Sequence, residues 1–379
     1  MSGGPLSGLR VVELGGIGPV PFCGMMLSDL GADVVRIHRP SELGARPNPV
    51  LARGRRSLVV DLKRPGGAAL VRRLIARSDA VVEGFRPGTA ERLGFDPEDL
   101  LRTQPRLVIG RMTGYGQSGP AAHLGGHDIN YLAASGVLGA LGTADSPPLP
   151  PLNLLGDFGG GGMLLAVGVL AALLQARADG VGQVVDAAMV DGAALLMAMV
   201  HGQIAHGHWP AARGTSMFSG VRPYYTTYTC ADGRHVAVGA SEPHFFRALV
   251  EGLGLGEAIE VARQTDPSTW DGQRRHFAAA FASRSRDEWA RRFTGVDACV
   301  TPVLTPEEAP YDEHLAARAT FLTDEDGVVQ PAPAPRFGAR PAGVPASAPV
   351  TGEHTDAILA ELGLSAGETA TLRDEKVVF

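Results

Sequence analysis

The first third of the chain alternates short apolar runs with helix-length segments, and this alternation restricts the fold more than any other feature. Residues 9–14 form one apolar run, and 33–38, 57–62, 79–85 and 107–112 form four more. Between them, 21–31 offers Met25, Met26, Leu27 and Leu30 to one helical face, and 66–77 spaces Leu70, Leu74 and Ile75 to bury a stripe. Strands joined by helices of this length pair in parallel through right-handed crossovers. Runs such as Val81-Val82 and Leu107-Val108-Ile109 suit a sheet covered on both faces. The expectation is an α/β fold with a doubly wound sheet. Ligands of such sheets bind beyond the carboxyl ends of the strands, here just after Leu14, His38, Glu83 and Met112.

Further along, 163–177 reads as a helix, 183–186 as a strand and 188–206 as a second helix. Residues 224–229 and 236–238 flank Ala231-Asp232-Gly233, a hairpin signal. Helical patterns follow at 243–252, 274–282 and 286–294, then a Pro/Ala-rich stretch at 330–349 and a last helix at 354–362. The expected organisation is a large domain over 1–187 rejoined by 330–379, a helical linker over 188–220, a small α/β domain over 221–318 and a return linker over 319–349.

Composition removes several function classes. A net charge of −6 over 379 residues argues against nucleic acid. Three widely spaced cysteines, Cys23, Cys230 and Cys299, give neither a disulfide framework nor a metal-ligand spacing, so no metal is expected. The opening residues lack a signal-peptide pattern, and the 17-residue apolar run 158–174 reads as a buried helix rather than a membrane span. The expected location is cytoplasmic. A basic cluster, Arg36, His38, Arg39, Arg53, Arg55, Arg56, Lys63 and Arg64, is either a solvated face or a seat for a small polyanion.

Four segments are candidates for chemistry. Gly114-Tyr115-Gly116-Gln117-Ser118-Gly119 has a dinucleotide-like spacing, but Pro120 follows and no acidic residue closes a later strand, so glycine loops needing positive φ explain it better. Gly126-His127-Asp128-Ile129-Asn130-Tyr131 gathers an imidazole, a carboxylate, an amide and a phenol beyond a sheet strand; a buried structural histidine and a reactive one both remain open. Asp157 opens Asp157-Phe158-Gly159-Gly160-Gly161-Gly162 before an apolar helix. It reads either as an N-cap or as a reactive carboxylate beside glycines that admit a ligand and free N–H groups that meet an anion. Glu242, in Ser241-Glu242-Pro243, sits at a helix start where an acidic residue is ordinary.

Taken together, these segments resemble the alpha-methylacyl-CoA racemases of the family III CoA-transferase superfamily. The likeness runs through Gly8-Leu9-Arg10-Val11-Val12-Glu13-Leu14, Asp29-Leu30-Gly31-Ala32-Asp33, Phe85-Arg86-Pro87-Gly88, Pro151-Leu152-Asn153-Leu154, Asp297-Ala298-Cys299-Val300-Thr301-Pro302-Val303 and Gly352-Glu353-His354-Thr355. The resemblance implies a Rossmann-like large domain, a small domain and an interlocked-ring homodimer. It implies an isomerase that inverts the carbon alpha to an acyl-CoA thioester. His127 and Asp157 would be its two bases, with Glu242 orienting the histidine. By the same matching, CoA would be held by Arg39, by Val60, Asp61, Leu62 and Lys63, by Arg86 and Arg92, and by the backbone of Gly126, Asp128, Ile129, Asn130 and Tyr131. No cofactor is implied, since coenzyme A is part of the substrate. The chain departs from the family at Ser219-Gly220-Val221-Arg222-Pro223, which leaves the acyl group open. Two competing readings stand: a CoA transferase with Asp157 as nucleophile through a mixed anhydride, and a non-catalytic acyl-CoA-binding protein.

Overall fold

A computed structural model describes residues 3–210, 212–339, 341 and 343–379. They group into two compact units. The first contains the chain up to Val137, Pro150–Met199 and His314–Phe379; the second contains Leu138–Leu149 and Val200–Glu313. Residues 188–199 thus group with the first unit instead of forming a linker. The cause is close backbone packing, described below with the candidate site. Residues 138–149 group with the second unit, where the Arg213 side chain donates to the Thr143 carbonyl at 2.9 Å.

In the first unit six strands form one parallel sheet: β1 (Arg10–Leu14), β2 (Asp33–His38), β3 (Arg56–Val59), β4 (Ala80–Glu83), β5 (Val108–Thr113) and β6 (Val184–Ala188). Their order, β3-β2-β1-β4-β5-β6, is that of a doubly wound sheet whose direction of growth reverses between β1 and β4. Helices α1 (Pro19–Asp29) and α2 (Pro65–Ile75) follow β1 and β3. Successive strand residues point to opposite faces. Val12, Leu14, Val35 and Ile37 pack with Leu70, Leu74 and Ile75 on one face, where Ile358 and Leu359 of the C-terminal segment join them. Val11, Val34, Val82 and Val108 pack with Val20, Cys23 and Leu27 on the other. Each fully buried Val or Leu contributes about 1.5–3 kcal/mol. The C-terminal segment also bridges Val378 to Val60, just past the carboxyl end of β3.

Further elements of this unit include α3 (Asp128–Ala134), a π-helix (Leu154–Met163) running straight into α4 (Leu164–Asp179), and α5 (Met189–Leu196). The stretch Leu154–Asp179 is long and apolar enough to cross a membrane by length and composition. Leu165 and Val169 on it are buried against the sheet, while Val167 and Leu174 are exposed. The helix expected over 188–206 is interrupted at Met197, giving α5 and a separate helix Ala198–Ala205.

In the second unit, β7 (Tyr225–Thr229) and β8 (His235–Gly239) form the expected antiparallel hairpin, and Gly233 takes a φ of 76° in its turn. Helices α6 (Pro243–Leu253), α7 (Pro267–Phe281) and α8 (Arg286–Arg292) cover the sheet, with Phe246, Phe277, Phe281 and Trp289 in the core. Helix α7 starts at Pro267 rather than 274, because the Asp266 carboxylate caps it by accepting from the Ser268 N–H at 2.9 Å. A third strand, β9 (Val300–Pro302), pairs with β8. It was not legible as a strand, since three residues ending in proline carry no period-two pattern.

Candidate active site

The loops that leave the carboxyl ends of β1 and β5 supply the local framework. His127 lies beyond β5 and is the residue that precedes α3. Its backbone N–H donates to Asn130 Oδ1 at 3.0 Å, and the Tyr131 hydroxyl donates to the Gly126 carbonyl one residue earlier. Both bonds fix the backbone that carries the imidazole, which is itself exposed. Tyr131 is buried, and its ring explains two glycines. A Cβ at Gly114 would come within 2.2 Å of it, and one at Gly126 within 2.8 Å. Gly116 and Gly119 take φ of 89° and 92°. The 114–119 pattern is therefore a turn-and-packing device, as its composition suggested.

Asp157 is not at the helix start that the sequence implied. The helix begins three residues earlier, at Leu154, and the π-helical winding places Asp157 in its first turn. Its N–H donates to Asp128 Oδ1 at 2.7 Å, a buried carboxylate at the first position of α3. Its own Oδ2 accepts from Asn153 Nδ2 at 3.3 Å. Asn153 is thus a site residue that the sequence reading missed, although its four-residue spacing from Asp157 on a helix was available as a signal.

Three of the four glycines after Asp157, Gly160, Gly161 and Gly162, serve packing, which corrects the expectation that all four admit a ligand. A Cβ at Gly160 would lie 2.7 Å from the Ala193 nitrogen on α5. At Gly162 it would lie 2.6 Å from the Pro19 carbonyl oxygen on α1. Gly192 reciprocates, its Cβ meeting the Gly160 carbonyl oxygen at 1.9 Å. Backbones pressed this closely leave no room for a ligand between them.

The close approach that matters comes from the other side. Gly18, in the loop after β1, has φ of 67°, and a Cβ there would lie 2.7 Å from Asp157 Oδ2. Arg36 on β2 steadies this loop by donating to the Gly16 carbonyl at 3.0 Å. Burial raises the Asp157 carboxyl above its ordinary pKa; Asn153 opposes the shift, the Asp128 charge adds to it, and the His127 imidazole draws it down. Asp157, Asp128 and His127 therefore share one electrostatic neighbourhood. Tyr131 joins it, its hydroxyl raised by burial, Tyr115 and Asp157 and lowered by Arg86.

The candidate CoA-contacting residues lie past the carboxyl ends of successive strands. Arg39 follows β2 and is exposed, with Glu42 beside it at 3.4 Å. Val60, Asp61, Leu62 and Lys63 follow β3; Val60 is buried, Asp61 and Leu62 are half-buried and Lys63 is exposed. Arg86 follows β4 and Arg92 ends a short helix, Thr89–Arg92; both are exposed. The backbone of Gly126, Asp128, Ile129, Asn130 and Tyr131 lies at the start of α3, beside His127.

Five of the eight residues of the basic cluster are unavailable for a polyanion. Arg36 and Arg55 both pair with Glu13, which is fully buried on β1. Burial alone pushes Glu13 up, but Arg55 and Arg36 outweigh it and hold the carboxyl below its usual range. Arg53 is buried against Asp29 at 2.6 Å, and Arg56 pairs with Asp33 and Glu361. His38 is buried and pushed down to about 4, by burial first and then by Arg36. Arg39 and Lys63 remain exposed, and Arg64 sits 3.7 Å from Asp61.

Glu242 belongs to the second unit, where it is exposed and precedes α6. Its charge bears on Cys299, whose thiol is raised by burial, Asp297 and Glu242. Arg222 lies 6.0 Å from the Tyr224 ring centroid and 5.9 Å from that of Trp270, a cation–π arrangement within this unit. Met189 is core, whereas Met199 is exposed. Among the described residues no cluster of three or more His, Cys, Asp or Glu side chains could hold a metal ion.

Known proteins resemble this chain over nearly its whole length. The family model for CoA-transferase family III matches residues 6–355. The mouse alpha-methylacyl-CoA racemase is 46% identical over 375 residues, covering 98% of this chain and 97% of that protein. The human alpha-methylacyl-CoA racemase is 47% identical over 376 residues, with the same coverage of both chains. The crystal structure of a CAIB/BAIF family protein from Brucella suis superposes with a TM-score of 0.83 at 26% identity, covering 95% of this chain and all of that one. A family match from Leu6 to Thr355 takes in the sheet, the His127 and Asp157 loops and the whole second unit, so this chain belongs to CoA-transferase family III.

Proposed function

We propose that this protein is an alpha-methylacyl-CoA racemase, which inverts the α-carbon of 2-methylacyl-CoA thioesters by two-base proton transfer. The observation that carries the reading is the shared electrostatic neighbourhood of His127 and Asp157, a carboxyl raised by burial on which the His127 charge bears, in a chain that matches racemases over 98% of its length. The carboxylate takes the α-proton of one enantiomer, and an imidazolium on the opposite face delivers its proton to the same carbon. The other enantiomer runs the roles in reverse, and the protons on the two bases re-equilibrate with water. A raised carboxyl pKa suits this task, because a stronger base is better matched to a carbon acid.

Between the two transfers an enolate bears negative charge on the thioester oxygen. The first-turn N–H groups of α3, next to His127, are the donors that a helix start leaves without intrahelical carbonyls. Glu242 would orient the histidine within a homodimer. Exposed apolar residues on the first unit, Val167, Leu174, Leu195 and Met199, support burial against a second copy. The CoA moiety would lie across Arg39, 60–63, Arg86 and Arg92, where unburied cations can meet its phosphates. No cofactor is required, and the proposed compartment is the cytoplasm.

The test is incubation of one enantiomer of a 2-methylacyl-CoA in deuterated water without any acceptor acid. Racemase action predicts α-deuterium and loss of optical purity. The family also contains CoA transferases, and CoA passing to an added carboxylic acid with no α-exchange would replace this reading by that one.

A further inference from the structure

We propose that Lys376 is a further binding residue for the CoA moiety, a cation that meets a phosphate at its nucleotide end. The proposal rests on the reading of 60–63 as part of the CoA seat. The family match ends at residue 355, so Lys376 lies outside it. The backbone around Lys376 is built against its own preference. The helix Ala366–Asp374 stops in a turn where the Lys376 N–H donates to the Arg373 carbonyl at 2.9 Å and the Val377 N–H to the Leu372 carbonyl at 2.8 Å. That pair of bonds needs a left-handed residue at the turn, most often glycine. Lys376 occupies it with φ of 56°. Three other non-glycine residues among those described have positive φ, Leu152, Cys299 and Ala319, and none of them is charged. The helix itself does not require a cation there. Arg373 already stands in its last turn, where a positive charge meets the free carbonyls without strain.

The turn fixes where the Lys376 charge stands. Val377 and Val378, the next residues, are both buried. The Val377 carbonyl accepts from the Asp61 N–H at 2.9 Å, and Val378 bridges to Val60. A Cβ at Gly66 would lie 3.3 Å from the Val377 side chain, so the valine also packs on the turn that leaves 60–63. Lys376 is thus held one residue from a direct backbone bond to the segment that carries the exposed Lys63. The carboxylate of that segment is engaged elsewhere: Asp61 accepts from the Lys63 N–H at 3.0 Å and has Arg64 at 3.7 Å. Lys376 is exposed and forms no ion pair among the described residues. Its strand neighbour β3 is an edge strand, four strand spacings from β5, whose loop carries His127. At about 4.8 Å per spacing the separation is roughly 19 Å. With the thioester at His127, the part of CoA that reaches β3 is its phosphorylated nucleotide, whose oxygens accept charge-assisted bonds from an ammonium.

Titration calorimetry with CoA tests this on the wild type, Lys376→Gly, Lys376→Arg and Lys63→Ala. Lys376→Gly removes the charge and relieves the left-handed turn. Its urea midpoint should therefore not fall, while its CoA affinity drops by about fivefold, the upper range for an exposed ion pair. Lys376→Arg keeps the charge and should keep the affinity. Repeating the titration with 3′-dephospho-CoA locates the phosphate: the Lys376→Gly loss disappears if the 3′-phosphate is the partner and persists if the diphosphate is. Unchanged CoA affinity in Lys376→Gly with a loss in Lys63→Ala overturns the role of Lys376 and keeps the CoA seat. Unchanged affinity in both variants overturns the seat itself. A lowered urea midpoint in Lys376→Gly, or an equal loss of affinity with arginine in place, overturns the proposal in favour of a structural part for this residue.

Discussion

Replacing Gly18 by alanine perturbs the proposed base without touching it chemically. The added Cβ would sit 2.7 Å from Asp157 Oδ2 and 3.2 Å from its Cγ, too close for any real methyl group. The carboxylate or the loop must move by several tenths of an ångström at least. Gly18 also has φ of 67° and ψ of −101°, outside the left-handed helical region, so an L-residue there costs more than the ~1–2 kcal/mol of that region. A misplacement near 1 Å at a reacting group lowers turnover by about 100-fold. Gly180→Ala is the matched control, since Gly180 has φ of 81° and no atom within 4 Å of its missing Cβ. Urea denaturation should show Gly180→Ala, in the left-handed region, losing about 1–2 kcal/mol and Gly18→Ala losing more. Solvent-deuterium exchange into a 2-methylacyl-CoA should fall by about two orders of magnitude for Gly18→Ala and stay at the wild-type rate for Gly180→Ala. Wild-type exchange in Gly18→Ala would refute the placement of Asp157 at the reacting centre.

Other perturbations have distinct signatures. The Asp128 charge raises the Asp157 pKa while its Oδ1 accepts the Asp157 N–H, so Asp128→Asn should keep the bond and move the acid limb of the exchange pH profile downward. In the wild type that limb should lie above the ordinary aspartate value of 3.8, because exchange needs the carboxylate and burial favours its protonated form. Asp128→Ala removes the acceptor and should destabilise the fold by about 1–3 kcal/mol in urea denaturation. Arg111→Met strands the buried Glu83, whose carboxyl is already raised by burial, and should destabilise by about 3–5 kcal/mol near neutral pH. That loss should shrink as pH falls through the folded pKa of Glu83, since the protonated form no longer needs a cation. Arg222→Ala removes a ring-stacked cation from the second unit and should cost about 0.5–1 kcal/mol of stability with exchange unchanged.

The strands of the first sheet were legible because buried parallel strands must be continuous apolar runs, and 33–38 coincides with β2 residue for residue. The hairpin was legible from its Asp-Gly turn. The π-helix was not, because winding is a backbone property and the glycines at 160–162 are explained only by what presses on them, Pro19 and Ala193. Asp157 could be singled out from sequence, and Asn153 was within reach by its four-residue spacing, but the partner Asp128 emerges only when the π-helix and α3 are set side by side. The basic cluster misled for a related reason. Sequence records Arg36, Arg53, Arg55 and Arg56 as charges but not Glu13, Asp29 and Asp33 folding onto them.

The two-base claim is tested most directly by following α-proton loss from each enantiomer separately in deuterated water, for the wild type, His127→Ala and Asp157→Asn. The account predicts that each variant loses racemisation. Each should still wash out the α-proton of one enantiomer, the opposite hand in the two variants. Both variants racemising normally, or both losing exchange from the same hand only, would contradict it.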